Sequence, residues 1–122
     1  MSRTIFTSVA AVIEIVTGLI LMVVPSAFAR VLFGADLPEA GQAVGRIAGF
    51  ALLSLGIACR PGSEAPTTAL SALVIYNLLI TPYLIYVGMV GGPVGPLLWP
   101  AAALHGLLSV ILVRARFGQP AK

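Results

Sequence analysis

Long apolar runs along this chain are separated by short breaks rich in proline, glycine and charge. The first run, Ile5 to Val24, is apolar apart from small polar residues and one acid, Glu14, and Pro25 ends it. Further runs extend from about Gly41 to Cys59, Thr67 to Val90 and Leu97 to Val113. A helix needs ~20 apolar residues to cross a bilayer. The pattern therefore predicts one all-α transmembrane domain over residues 1–122, an integral membrane four-helix bundle with spans at 5–24, 41–59, 67–90 and 97–113. Phe28, Val31 and Leu32 recur at helical spacing, so 26–33 reads as a short interfacial helix stopped by Gly34. Asp36 is the expected N-cap of the second span, with Pro38 in its first turn and Glu39 near the positive end of the helix dipole. Arg60-Pro61-Gly62-Ser63-Glu64 reads as a turn, and Gly91 to Pro96 as a tight uncharged connection. Pro82 removes a donor within the third span and predicts a kink there. A cleaved signal peptide is the competing reading of the first run, with Arg3 ahead of it and Ala27-Phe28-Ala29 as the cleavage site. The length of the run and the acid inside it argue against that.

Composition fixes the environment. The chain is 59% hydrophobic and 9% charged, with mean hydropathy +1.06. Soluble domains carry roughly 25% charged residues, so too little polar surface exists here to cover a soluble globule. Intrinsic disorder requires the opposite composition. The net charge of +3 comes from scattered basic residues, not from the clustered face that binds nucleic acid. With the N-terminus inside, Arg3, Arg60, Arg114, Arg116 and Lys122 fall on the cytoplasmic side, and Arg30 and Arg46 on the other. This bias predicts a multi-pass protein of the cell inner membrane with both termini cytoplasmic. Cys59 is the sole cysteine, which excludes an internal disulfide and suits a small packing residue near a helix end. One histidine, one cysteine and one buried acid make no metal or haem ligand set, and no nucleotide-binding glycine motif occurs, so no cofactor is expected.

The charge left inside the spans is the candidate chemistry. Counted at ~1.5 Å per residue, Glu14, Asn77 and His105 all fall near mid-bilayer on three different helices. Thr7, Ala10, Ala11, Glu14, Thr17 and Gly18 share one face of the first helix. Asn77 aligns with Thr81 on the third, and Ala101, His105 and Ser109 align on the fourth. Arg46 enters from the outer side and is long enough to snorkel outward or to reach toward Glu14. Tyr76 and Tyr83, with Tyr86, sit on a broad flank of the third span. Glu14, His105, Asn77, Arg46, Tyr76, Tyr83 and Ser109 are thus the predicted binding set, with no catalytic residue assigned. A carboxylate in hydrocarbon costs ~2.5–3.5 kcal/mol even on a lenient scale, so Glu14 must be protonated, paired or wetted. Each of these residues also has a plainer reading as interhelical packing or hydrogen bonding. Gly41, Gly45 and Gly49 form a ridge on which another helix packs, either within the chain or from a second molecule, with Gly56 one heptad further on.

The stretch Ala11-Val12-Ile13-Glu14-Ile15-Val16-Thr17-Gly18 is similar to the first helix of the small multidrug resistance exporters, four-helix proteins with an essential first-helix acid. Asn77 and Pro82 in the third span and His105 in the fourth depart from that family. The order of a first helix, Pro25, an amphipathic link, Arg46-x-x-Gly49 and Leu55-Gly56 resembles the DoxX-like and DUF4345-like groups of small uncharacterised bacterial membrane proteins. That resemblance implies a four-helix inner-membrane protein and no particular activity.

Three functions remain open at this stage. The first is a membrane protein that binds or moves a proton or an apolar or cationic small molecule at Glu14, His105 and Asn77, in a homo-oligomer. The second is an accessory subunit of a larger membrane complex, assembled through the glycine ridge. The third is an intramembrane proton-transfer enzyme acting on a lipid-like substrate, with Glu14 and His105 as acid and base. The lipid bilayer is the partner common to all three.

Overall fold

The computed structural model describes residues 3–60, 67–90 and 94–118, all of its regular structure helical. The helices are α1 (Arg3–Val23), α2 (Pro25–Phe33), α3 (Glu39–Ala58), α4 (Thr67–Met89) and α5 (Leu98–Phe117). α1, α3, α4 and α5 are long and apolar enough to cross a membrane. The expected turn at 61–64, the Gly91–Pro93 part of the uncharged connection and Lys122 lie outside the described residues. Pro82 does not end α4, which continues to Met89.

α1 and α3 pack most closely, and glycine is the reason. A Cβ on Gly18 would lie 2.8 Å from the Gly49 carbonyl oxygen, and one on Gly49 would lie 2.7 Å from the Gly18 carbonyl oxygen. A Cβ on Gly56 would lie 2.7 Å from the Ala11 oxygen and 2.6 Å from Ile15 Cγ1. Rising positions on α1 meet falling positions on α3, so the pair is antiparallel. Gly49 is therefore spent on an intrachain contact. Gly45 faces the Pro25 ring and Gly41 faces Leu37 and Pro38, so these two do not continue the helix–helix ridge expected of them. The close approach runs through Gly18, Gly49 and Gly56.

α4 and α5 form the second antiparallel pair. Asn77 meets His105, and Arg116 Nε donates to Ser71 Oγ at 3.3 Å. Gly88 lies against the side chains of Leu98 and Trp99, which would have to shift to admit a Cβ there.

α2 closes one end of the bundle. Gly34, with φ +73°, ends the helix in the left-handed conformation, and its amide donates to the Arg30 carbonyl. The next orphan carbonyls of α2 are taken by the strand of chain leading into α5: Gly95 N donates to Leu32 O and Leu97 N to Val31 O, both at 3.1 Å. Gly95 sits so close to the Val31 carbonyl that no side chain fits.

Asp36 is not the N-cap of α3. Pro38 holds that position, with extended backbone and no side-chain cap bond. Asp36 Oδ1 instead accepts from Arg30 Nε at 3.0 Å, from Arg30 Nη2 and from Ser26 Oγ at 3.1 Å, while Leu37 N donates to Ser26 Oγ. A better set of donors, one of them a guanidinium, outcompetes the helix terminus. The Arg30 and Ser26 hydrogen bonds hold the Asp36 carboxyl below its ordinary value of 3.8. Its contribution to stability is thus present at neutral pH and fades only as pH falls through that lowered value. Arg30→Gln is expected to return the Asp36 titration toward the ordinary carboxylate range, as read by NMR of the side-chain carboxyl carbon. An unmoved titration would remove the ion pair from this account.

Candidate functional site

The bundle is inverted relative to a soluble protein. Ile5, Val9, Val12, Val16 and Leu19 of α1 point outward, while Thr7, Ala10, Ala11, Glu14 and Gly18 point inward. The other long helices also expose large apolar side chains, among them Val44, Ile47, Leu79 and Leu107. Most of the buried polar groups, Glu14, Asn77 and Ser109 with the half-buried His105, lie between two apolar clusters, and Thr7 lies beyond one of them.

The α4–α5 part of that layer is a closed hydrogen-bond network. Asn77 is fully buried, and its Nδ2 donates to the Leu73 carbonyl at 2.9 Å. This orients the amide so that Oδ1 faces His105 Nδ1 at 2.8 Å. An amide oxygen only accepts, so Nδ1 carries the proton and, in the neutral ring, Nε2 carries the lone pair. Thr81 Oγ1 donates to the Asn77 carbonyl at 2.7 Å, and Ser109 Oγ to the His105 carbonyl at 2.9 Å. The two hydroxyls meet at 3.4 Å. The Tyr76 ring stands edge-on to His105, with centroids 5.8 Å apart.

Glu14 is different. It is 0% exposed, and no described residue hydrogen-bonds either carboxyl oxygen. The titratable groups near enough to interact with it include the Cys59 thiol at the end of α3 and the Tyr76 hydroxyl on α4. One turn toward the N-terminus, Ala10 and Ala11 pack with Cys59, Leu73, Val74, Leu108 and Leu112.

The predicted set therefore divides. Asn77, His105, Ser109 and Tyr76 come together, and Glu14 is linked to them through its proximity to Tyr76. Arg46 and Tyr83 do not belong. Arg46 is exposed and directly follows Gly45, which packs on Pro25, so it lies about 15 Å from Glu14 along the helix axis. It is not the partner of Glu14, because α3 is shifted toward α2 relative to α1. Tyr83 is 55% exposed on the outer surface of α4, about a third of a turn around the helix from Asn77. Cys59 is the neighbour of Glu14 that the sequence offered only as a packing residue. Its position at the expected end of the second span was the available signal, but the antiparallel register with Ala11 was needed to use it.

The network makes a testable prediction. Asn77→Leu and His105→Leu each leave a buried polar atom without its partner, and each is expected to cost about 1–3 kcal/mol. The double variant is expected to cost less than the sum, by roughly 0.5–2 kcal/mol of coupling. Unfolding in detergent for the four proteins of the cycle reads this directly; strict additivity would contradict the hydrogen bond.

No family model, curated protein or solved structure matches the chain. What fold and site define together is a class: an all-helical chain with four helices suited to crossing a membrane and a buried polar layer between them.

Proposed function

We propose that the chain is a multi-pass inner-membrane protein, both termini cytoplasmic, whose interior takes up a proton or a small cationic ligand at Glu14. The observation that carries this reading is the state of the Glu14 carboxyl. It is fully buried, with neither oxygen hydrogen-bonded by a described residue, while the other buried polar side chains Asn77 and Ser109, and the half-buried His105, all have partners. An unpartnered carboxylate in an apolar interior is too costly to persist. Its charge is balanced by a proton, or by a cation that replaces one. Tyr76 supplies an aromatic neighbour of that position, and its ring packs edge-on against His105. Asn77 fixes the His105 tautomer and so acts as a positioning residue.

The exchange of one cation for one proton gives the experiment. A lipophilic phosphonium ion added to the purified protein in weakly buffered detergent is expected to bind and to release protons. Glu14→Gln is expected to abolish the release. Binding with equal proton release in that variant would overturn the assignment.

The accessory-subunit reading rested on the glycine ridge. Gly49 faces α1 of the same chain, Gly45 faces Pro25 and Gly41 faces its own loop. No geometric observation now favours that reading over the first.

A further inference from the structure

Arg46 and Glu39 take no part in the buried polar layer. Both are exposed on α3, and neither side chain is hydrogen-bonded or ion-paired by another described residue. At 3.6 residues per turn, Glu39, Arg46 and Phe50 fall within about 40° of one another around the helix. The close contact of α3 with α1 runs along Gly49 and Gly56. Leu55 and Cys59, which join the inner apolar cluster, lie on one flank of that line. Glu39, Arg46 and Phe50 lie on the other flank, facing away from α4 and α5. α1 and α3 are antiparallel, so the α1 surface that continues this outward flank is the one bearing Leu19, and Glu14 is on the inward side. Gly18 is level with Gly49, which puts Leu19 level with Phe50, and both of these side chains are exposed. α2 turns the other way, with Phe28, Leu32 and Phe33 packed on α4 and α5.

α1 sets the depth of each group. Gly45 packs on Pro25, where α2 begins, so Arg46 is level with the end of the first span at Val23. Phe50 lies about 6 Å deeper, and Glu39 about 10 Å further out. From the bilayer core outward, this flank therefore presents apolar surface, then a cation, then an anion. An ethanolamine phospholipid presents the complement in the same order: acyl chain, phosphate, ammonium.

The chemistry of each pairing is specific. A guanidinium matches phosphate with a fork of donors. At the edge of a span a long arginine keeps its stem on apolar surface while its head reaches the phosphates. Arg30, the basic residue of α2, is held by Asp36 and does not compete for that phosphate. An anionic headgroup would satisfy Arg46 but would bring like charge toward Glu39.

We infer that the outward flank of α3, together with Leu19 of α1, docks an ethanolamine phospholipid, with an acyl chain on Leu19 and Phe50, the phosphate on Arg46 and the ammonium on Glu39. The inference is independent of Glu14, which faces the opposite side of the α1–α3 pair.

Native mass spectrometry of delipidated protein, titrated with phosphatidylethanolamine or phosphatidylglycerol of identical chains, tests it. The wild type is expected to bind the ethanolamine lipid about threefold or more tighter than the glycerol lipid. Arg46→Gln is expected to weaken binding of the ethanolamine lipid about fivefold. Glu39→Gln is expected to remove the preference, leaving the two lipids within about twofold of one another. Arg114→Gln, at the opposite end of the bundle, is the control and is expected to change the preference by less than about twofold. The substituted side chains are all exposed, so the variants are expected to unfold with the wild type, which a thermal melt checks. A wild-type preference for the glycerol lipid, equally tight binding of the ethanolamine lipid by Arg46→Gln, or a preference that survives Glu39→Gln would overturn the inference.

Discussion

Gly56→Leu is expected to leave no folded protein. A Cβ at position 56 would sit 2.7 Å from the Ala11 carbonyl oxygen and 2.9 Å from the Ile15 amide nitrogen, both backbone atoms in the middle of α1. A flexible side chain can swing away from such a contact, but a helix backbone cannot. Relief requires α1 and α3 to separate along their whole length, which also withdraws Cys59 from Ala10 and Ala11. The expected cost is about 3 kcal/mol or more, and Gly49→Leu should behave the same way, because its Cβ would meet the Gly18 oxygen. Gly106→Ala is the matched control. The nearest atom to its Cβ is Thr81 Cγ2 at 3.5 Å, ordinary van der Waals contact, and removing a mid-helix glycine favours the helix by roughly 1 kcal/mol. Size-exclusion profiles and thermal unfolding in detergent separate the cases. A monodisperse Gly56→Leu protein melting with the wild type would mean that α1 and α3 do not pack as described.

The second large effect concerns Glu14, where loss of function and gain of stability are expected together. Glu14→Leu removes a buried carboxyl whose oxygens have no hydrogen-bonding residue among those described, and replaces it with an apolar side chain one turn from the Ala10 and Ala11 cluster. The variant is expected to gain about 1–3 kcal/mol in unfolding free energy. It is also expected to lose all proton release on cation binding. Opposite signs of this kind mark a residue kept at a cost to the fold. A Glu14→Leu protein destabilised by a similar amount would instead make Glu14 a structural partner, and the functional reading would fall with it.

Much of the fold was legible because each apolar run is bounded by proline, glycine or charge. The spans begin and end within a few residues of the observed helices. The stop of α2 at Gly34 follows from the only residue type that adopts a positive φ freely. The start of α3 was less legible. Asp36 has the side chain of an N-cap, but its choice of Arg30 and Ser26 depends on α2 folding back beside it. Among the glycines, spacing alone selected Gly41, Gly45 and Gly49. The helix partner is α1, itself bearing Gly18, and the contact follows the offset between two helices, which no single run encodes. The depth count placed Asn77 and His105 together correctly, since both lie midway along adjacent antiparallel helices. The same count put Arg46 within reach of Glu14, because it assumed that α3 and α1 share both ends. α3 is displaced toward α2, and this displacement removes Arg46 and brings in Cys59.

The central claim is that Glu14 is a buried carboxyl that exchanges a proton, and infrared spectroscopy tests it most directly. In lipid-reconstituted wild-type protein, a pH series is expected to interconvert a carboxylic-acid carbonyl band and a carboxylate band, and the wild-type-minus-Glu14→Gln difference is expected to isolate one such pair of bands beyond those of Asp36, Glu39 and Glu64. An identical carbonyl response in that variant, or no response in the wild type at any pH at which the protein stays folded, would contradict the account.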